Sequence, residues 1–320
     1  MKKICITGAL GHIGSHVLRH AAGRFPGAEI TLFDNLSTQR FPVLFDLPEG
    51  GTYRFVEGDV REYDFAPLIS DVDVVLHLAA ITDATSSFDN RDVVETVNLG
   101  GTRRVGEACA AAGVPLIALS STSVYGTQNA VVAEDCSEDE LKPQSPYAES
   151  KIAEETLLSE LAQSHGLRHV VCRFGTIFGV SPGMRFHTAV NRFCWQAVMG
   201  QPLSVWRTAL DQKRPYLDLV DAGNALAFII ERELFDGRIY NVLTVNATVR
   251  DVVDEIRNVI PETAVELVDT RIMNQLSYEV SVERFRSLGF EFEGSLRRAV
   301  RDTIALLHKA NSAETHAIFS

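Results

Sequence analysis

Gly8, Gly11 and Gly14 follow the short apolar run Lys3-Ile4-Cys5-Ile6-Thr7 and open a helical pattern. Strand, tight turn, helix is the order that most constrains this chain. Gly8 can take backbone angles that a Cβ forbids, Gly11 lets the main chain approach a pyrophosphate, and Gly14 lets the helix pack close to its strand. The free amides at the helix start, at His12, Ile13 and Gly14, then face the phosphates with the positive end of the helix dipole behind them. About 20 residues past the turn, a second apolar run, Glu29-Ile30-Thr31-Leu32-Phe33, ends in Asp34. A carboxylate there accepts both ribose hydroxyls of an adenosine and favours NAD over NADP. Asn35, next in the loop Asn35-Leu36-Ser37-Thr38, is a further candidate contact.

A chain of 320 residues suggests two domains. With 46% apolar and 22% charged residues it has the composition of an ordinary globular protein. The formal charge of −12 argues against a nucleic-acid partner, because no basic stripe exists to neutralise phosphates. Cys5, Cys109, Cys136, Cys172 and Cys194 lack metal-binding or disulfide spacing and read as reduced residues of a cytoplasmic protein. The start runs straight into the first strand and no long uncharged run occurs, so neither secretion nor a membrane span is expected.

The pattern continues as alternating strand and helix. Tyr53 to Val60 is extended, with Asp59 at its end, where it either bonds an adenine amine while Val60 packs the ring or caps a helix. Val72 to Ala80 is a fourth strand, whose last residues Leu78, Ala79 and Ala80 let a cofactor lie against the backbone. A helical pattern from about Asp89 to Ala112 carries Asn98, and Leu116 to Leu119 delivers Ser120-Ser121-Thr122-Ser123 to the same carboxyl edge. The fold expected is α/β, a doubly wound parallel sheet covered on both faces. His12, His16 and His20 lie four apart, but no acid or cysteine joins them, so packing or solvated histidines are expected rather than a metal face. The acidic run Glu134 to Glu140 reads as a solvated loop.

Ser145-Pro146-Tyr147-Ala148-Glu149-Ser150-Lys151 begins a helix, with Ser145 as N-cap and Pro146 as its first residue. Tyr147 and Lys151 fall one turn apart on one face. A phenol with a pKa of about 10 is a poor base at neutral pH, and an adjacent ammonium favours its phenolate.

These motifs resemble the extended short-chain dehydrogenase/reductases, specifically their nucleotide-sugar epimerase/dehydratase branch, over essentially the whole chain. The resemblance rests on Thr7-Gly8-x-x-Gly11-x-x-Gly14, Asp34-Asn35-Leu36-Ser37, Gly58-Asp59-Val60 and His77-Leu78-Ala79-Ala80. It continues through Asn98-x-x-Gly101-Thr102, Ser121-Thr122-Ser123-Val124-Tyr125-Gly126 and Ser145-Pro146-Tyr147-x-x-x-Lys151. It implies a tightly held NAD, Tyr147 as acid/base, Lys151 holding the ribose and tuning Tyr147, and Ser121 bonding the reacting sugar oxygen. Tyr147 would take the proton of a sugar C4 hydroxyl while the C4 hydride goes to NAD, and hydride return to the other face of the 4-keto intermediate would complete a 4-epimerisation.

Related 4,6-dehydratases carry Asp-Glu where this chain has Thr122 and Ser123. Neither can act as a carboxylate, which favours epimerisation over dehydration. Thr176 stands where epimerases have an asparagine that touches the phosphates of the nucleotide sugar, and Thr122 is a second candidate substrate contact. Asn191 and the strand Leu203 to Trp206, with Val205, occupy places where the family contacts the nucleotide base. Arg214 is the first candidate diphosphate clamp and Arg185 the second, because a guanidinium matches phosphate oxygens in fork geometry.

The segment Ser181 to His187 is expected to enter a helix running to about Met199 and to begin the substrate lobe. The expected division is an NAD-binding unit of residues 1–178 and 212–242, a nucleotide-sugar-binding unit of 179–211 and 243–310, and a tail at 311–320. The resemblance also implies a homodimer through the helices at 89–112 and 147–165. Alternatives on the same fold are a 4-ketoreductase, a dehydratase, a decarboxylase, or a non-catalytic NAD(P) sensor. A sensor would not need Ser121, Tyr147 and Lys151 together.

Overall fold

The structure is a computed structural model and describes residues 2–126, 131–269 and 277–310. The tail expected at 311–320 lies outside the described residues. Seven parallel strands form the central sheet: β1 (Lys3–Thr7), β2 (Ala28–Asp34), β3 (Gly51–Glu57), β4 (Val74–His77), β5 (Leu116–Ser121), β6 (His169–Phe174) and β7 (Ile239–Val242). Their spatial order is β7-β6-β5-β4-β1-β2-β3. The chain winds outward from β1 in one direction and then, from β4, in the other. The crevice at that switch point, beyond the carboxyl ends of β1 and β4, is where such sheets bind ligands.

Helices α1 (His12–Arg24), α2 (Gly101–Ala112), α3 (Pro146–His165), α4 (Ala189–Val198), α5 (Leu219–Arg232), α6 (Val249–Arg257) and α7 (Leu296–Leu307) surround the sheet or build the second unit. One face of the sheet packs Ile4, Ile6 and Leu76 on Leu18 of α1 and Leu226 of α5. The other packs Cys5, Val75 and Leu116 on Val105 of α2 and Leu158 of α3. Every residue of β4 and β6 is buried, as parallel strands covered on both sides require. The alternation is incomplete on one side. β2 and β3 are joined through a single 3-10 turn, Phe41–Leu44, and β3 and β4 through the one-turn helix Ala66–Ile69. Pro42, Pro48, Gly50 and Gly51 leave no room for a longer helix before β3.

α3 starts as its sequence dictates. The Ser145 hydroxyl accepts the Ala148 amide at 3.1 Å, Pro146 fills the first position, and Gly166 ends the helix at φ 69°. α6 opens on a capping box between Thr248 and Asp251.

The second unit packs the strand pair Leu203–Trp206 and Val265–Val268, and the small sheet Thr176–Phe178, Lys213–Asp218 and Val245–Thr248, on α4, α6 and α7. Its core includes Phe178, Phe193, Val252 and Val300. Residues 213–218 pair with both outer strands of this small sheet. α5, which follows them, packs back on α1. The segment Ser181 to His187 leads into α4, which begins at Ala189. Its Gly183 amide bonds the Ser15 hydroxyl at 2.9 Å, and a Cβ there would sit 2.4 Å from the Leu10 carbonyl. That loop is pressed against the glycine turn. Glu134 departs from the solvated loop expected around it, because its carboxylate accepts the Asn241 amide of β7 at 2.7 Å.

Candidate active site

A cavity of about 590 Å³ lies over the carboxyl ends of β1, β4 and β5 and reaches across to the second unit. Gly8 has φ +66° and brings the turn so close to β4 that a Cβ would lie 2.7 Å from the Ala79 amide nitrogen. Gly11, His12, Ile13 and Gly14 line the cavity at the start of α1, where first-turn amides have no partner within the helix. The His12 ring bonds the Gly179 carbonyl at 2.9 Å. Burial lowers its pKa to about 4. His16 and His20 stack together against Gly223 of α5, in line with packing histidines.

At the adenosine end Asp34 and Asn35 line the cavity. Asp34 accepts the Leu10 and Leu36 amides, each at 3.0 Å, and keeps a lone pair on each oxygen. Asp59 and Val60 also line it. Asp59 does not cap a helix. Its carboxylate is gripped by the Arg61 guanidinium and amide and by the Asn35 amide group, which together hold its pKa well below the usual carboxylate range. Leu78, Ala79 and Ala80 form the wall beyond β4. Asn98 does not reach the cavity; it is fully buried, binds both backbone polar groups of Ile81, and donates to the Ser150 hydroxyl. It thus ties that wall to α3.

Ser121, at the end of β5, meets Tyr147 and Lys151 of α3 in the cavity. The Ser121 oxygen accepts both the Ser123 amide at 3.1 Å and the Ser123 hydroxyl at 2.9 Å. Its own proton is therefore free to donate, and Tyr147 is within hydrogen-bond reach. Lys151 is buried, with Nζ 6.0 Å from the centre of the Tyr147 ring. Burial raises the Tyr147 pKa above its ordinary value; Lys151, Ser121 and Arg185 oppose this and Glu154 adds to it. The ammonium acts in the direction expected from sequence but does not set the net shift.

The substrate candidates divide. Thr122, Thr176, Arg185 and Arg214 line the cavity. Thr122 is buried and bonds the Phe174 carbonyl at 3.3 Å. Arg185 donates to the Thr82 hydroxyl at 2.8 Å, and Arg214 to the Gln212 side chain at 2.7 Å. Asn191 and Val205 do not line it. Asn191 is fully buried, accepting the Gly179 amide and donating to the Arg185 carbonyl, so it shapes the loop that carries Arg185. Val205 is the inward residue of its strand and belongs to the core, while Ser204 and Trp206 face out.

Sequence reading missed Arg40 and His187, which join Arg185 in the cavity lining. Burial lowers both arginines from their usual value, and the Arg185 charge adds to the shift of Arg40, which suits the site to an anion. No motif marks Arg40, six residues beyond Asp34. Glu154, three residues after Lys151, was legible from helical spacing alone. The only carboxylates among the described lining residues are Asp34 and Asp59, both at the adenosine end. Glycine cradle, helix amides and ribose acceptor together fit an NAD molecule lying along this crevice.

Comparison with known proteins agrees. A relative in Arabidopsis thaliana, the trifunctional UDP-glucose 4,6-dehydratase/UDP-4-keto-6-deoxy-D-glucose 3,5-epimerase/UDP-4-keto-L-rhamnose-reductase RHM2, is 27% identical over 91% of this chain and 44% of its own. The chain thus spans less than half the length of that relative. The Bacillus subtilis protein named uncharacterized UDP-glucose epimerase YtcB is 30% identical over 75% of this chain and 76% of its own. The solved structure of MoeE5 in complex with UDP-glucuronic acid and NAD superposes with a TM-score of 0.83 at 26% identity, covering 96% of this chain and 99% of that one. Among the described residues no helix is long and apolar enough to cross a membrane. Residues 4–242 match the NAD dependent epimerase/dehydratase family, and the chain belongs to that family, an enzyme with NAD as its cofactor.

Proposed function

We propose that this enzyme is a nucleotide-sugar 4-epimerase working through a transient 4-keto sugar. The observation that carries this reading is the composition of the cavity around Tyr147: a phenol, a serine and a lysine, with no carboxylate at that end among the described lining residues. Elimination of water across C5 and C6 needs a further acid and base, and Thr122 and Ser123 supply neither. The naming of the Bacillus relative as a UDP-glucose epimerase supports the same reading.

NAD, when bound, accepts the C4 hydride and gives it back. The protein's part is proton handling and orientation. Tyr147 takes the proton from the C4 hydroxyl and later returns it, the free proton of Ser121 steadies the same oxygen, and Lys151 favours the phenolate while holding the ribose. Arg185 and Arg214 hold the diphosphate, so the sugar can present either face of its ketone while its anchor stays fixed. A homodimer in the cytoplasm is part of this reading, its pairing supported by the exposure of Phe88.

The test is incubation of the protein as purified, with no added cofactor, against UDP-, GDP-, CDP- and dTDP-sugars, followed by mass spectrometry and proton NMR. A product of unchanged mass and altered C4 coupling is expected and identifies the base. Loss of water or carbon dioxide would overturn the reading. So would conversion only after a keto-sugar and a reduced nicotinamide cofactor are added, which would make it a reductase.

A further inference from the structure

Beneath the cavity floor runs a closed chain of buried polar groups that ends on the catalytic lysine. Lys151 Nζ donates to Glu154 Oε2 at 3.0 Å, with both side chains no more than 6% exposed. The same oxygen accepts the Thr102 hydroxyl of α2 at 2.9 Å. Because Thr102 spends its proton on Glu154, its oxygen accepts from His77 Nε2 at 3.1 Å. His77 Nδ1 then accepts the Thr7 hydroxyl at 2.8 Å, and the Thr7 oxygen receives the Leu78 and Ala79 amides. Each hydroxyl and ring donor from Thr102 to Thr7 is assigned, and the line terminates in backbone. Glu154 Oε1 has no partner among the described residues and is sealed from solvent.

We propose that Glu154 is a positioning residue that holds the Lys151 ammonium and offsets its charge, keeping Tyr147 protonated until substrate arrives. Tyr147, Lys151 and Glu154 fall on one face of α3, so a single cation is shared between a phenol and a carboxylate. A buried neutralised lysine lends the phenol less help than a bare one. The charged and titratable groups facing this cluster are few. Glu155 of α3 is turned to Arg173, with its oxygens 2.9 and 2.6 Å from that guanidinium. His77 of β4 is held neutral by burial, its pKa lowered to about 3. Arg185 reaches in from the loop before α4 and acts on Tyr147 in the same sense as Lys151. Glu154 itself adds to the upward shift of Tyr147. Burial pushes its own carboxyl up, and the Lys151 ammonium and the Thr102 hydroxyl oppose this; of these groups it is the one carboxyl bonded to the lysine.

The inference rests on Tyr147 being the acid/base of the proposed reaction, but its test reads ionisation rather than turnover. Phenolate absorbance of the protein as purified, with the Tyr147→Phe spectrum subtracted, follows Tyr147 through a pH titration. In Glu154→Gln the midpoint is expected to fall by about one pH unit, the effect of removing one nearby like charge. Thr102→Val, which leaves the carboxylate in place and removes the bond that favours its charge, is expected to shift it in the same direction by less. An unmoved or raised midpoint in folded Glu154→Gln overturns the proposal. If that variant does not fold, Thr102→Val decides on the same criterion. A falling midpoint in a protein that fails to epimerise any sugar supports this inference and sinks the function. An unmoved midpoint in a working epimerase does the reverse.

Discussion

Asp34 Oδ2 accepts the Leu10 amide at 3.0 Å, so the carboxylate at the end of β2 pins the glycine turn at the end of β1. Its other oxygen sets the loop beyond through Leu36. Asp34→Asn keeps the volume but offers one acceptor and presents an NH₂ to a backbone donor. NAD is expected to bind about 10- to 100-fold more weakly, as charge-assisted hydrogen bonds of about 1.5–3 kcal/mol imply. Calorimetric titration of protein stripped of nucleotide measures this. Unchanged affinity would remove Asp34 from the ribose contact.

Tyr147→Phe removes one oxygen and leaves the ring in place. General acid–base catalysis is worth about 10²–10⁴-fold, and turnover should fall by that factor while the purified protein keeps its nucleotide. Nucleotide released on denaturation gives the occupancy. Turnover at the wild-type rate would exclude the phenol as the proton carrier.

The buried Arg173–Glu155 pair is the principal clamp under the site. Arg173 donates twice to Glu155, and its third contact, to the Tyr125 hydroxyl at 2.9 Å, leads on to Asn241 of β7 at 2.8 Å. Removing either charge leaves the other buried without compensation, a loss of about 3–5 kcal/mol. Arg173→Met and Glu155→Gln should therefore each unfold at much lower urea, while the double variant should lose far less than the sum. Simple additivity would mean that the two do not act as a pair.

The parts of this molecule governed by local rules were legible from the chain. Glycine spacing, the Ser145 cap and the period-four pair Tyr147–Lys151 are short-range signals, and β6 and Leu203–Trp206 lie where their apolar runs put them. What was not legible depends on distant packing. The path of the loop before α4 is set by Gly183 meeting the Leu10 carbonyl, 173 residues away in sequence. Asn191 was expected at the ligand and instead binds backbone; nothing in its neighbours reveals that its side chain turns inward. Val205 shows the limit of alternation, because a strand's period gives two faces without saying which is core. Arg40 reaches the cavity only because the turn after β2 folds back, with Leu36 and Gln39 at positive φ.

His16 offers a test of burial by pH. Its Nε2 is sealed from water with no partner among the described residues, and burial, reinforced by His20, lowers its pKa to about 4. An unfolded chain binds that proton with a pKa of about 6.5. Above about 6.5 both states are neutral and the group costs nothing; as pH falls toward 4 only the unfolded state gains the proton, so stability is lost across that window. At pH 5 the loss from this one group is about 2 kcal/mol. His12 and His187, lowered to about 4 as well, titrate in the same window and steepen the wild-type slope. His16→Leu removes one of these protons and keeps a similar volume against Gly223. Urea midpoints for the variant and wild type should lie close together at pH 7 and separate in favour of the variant at pH 5. An equal separation at both would show that His16 is already charged or solvated in the folded protein.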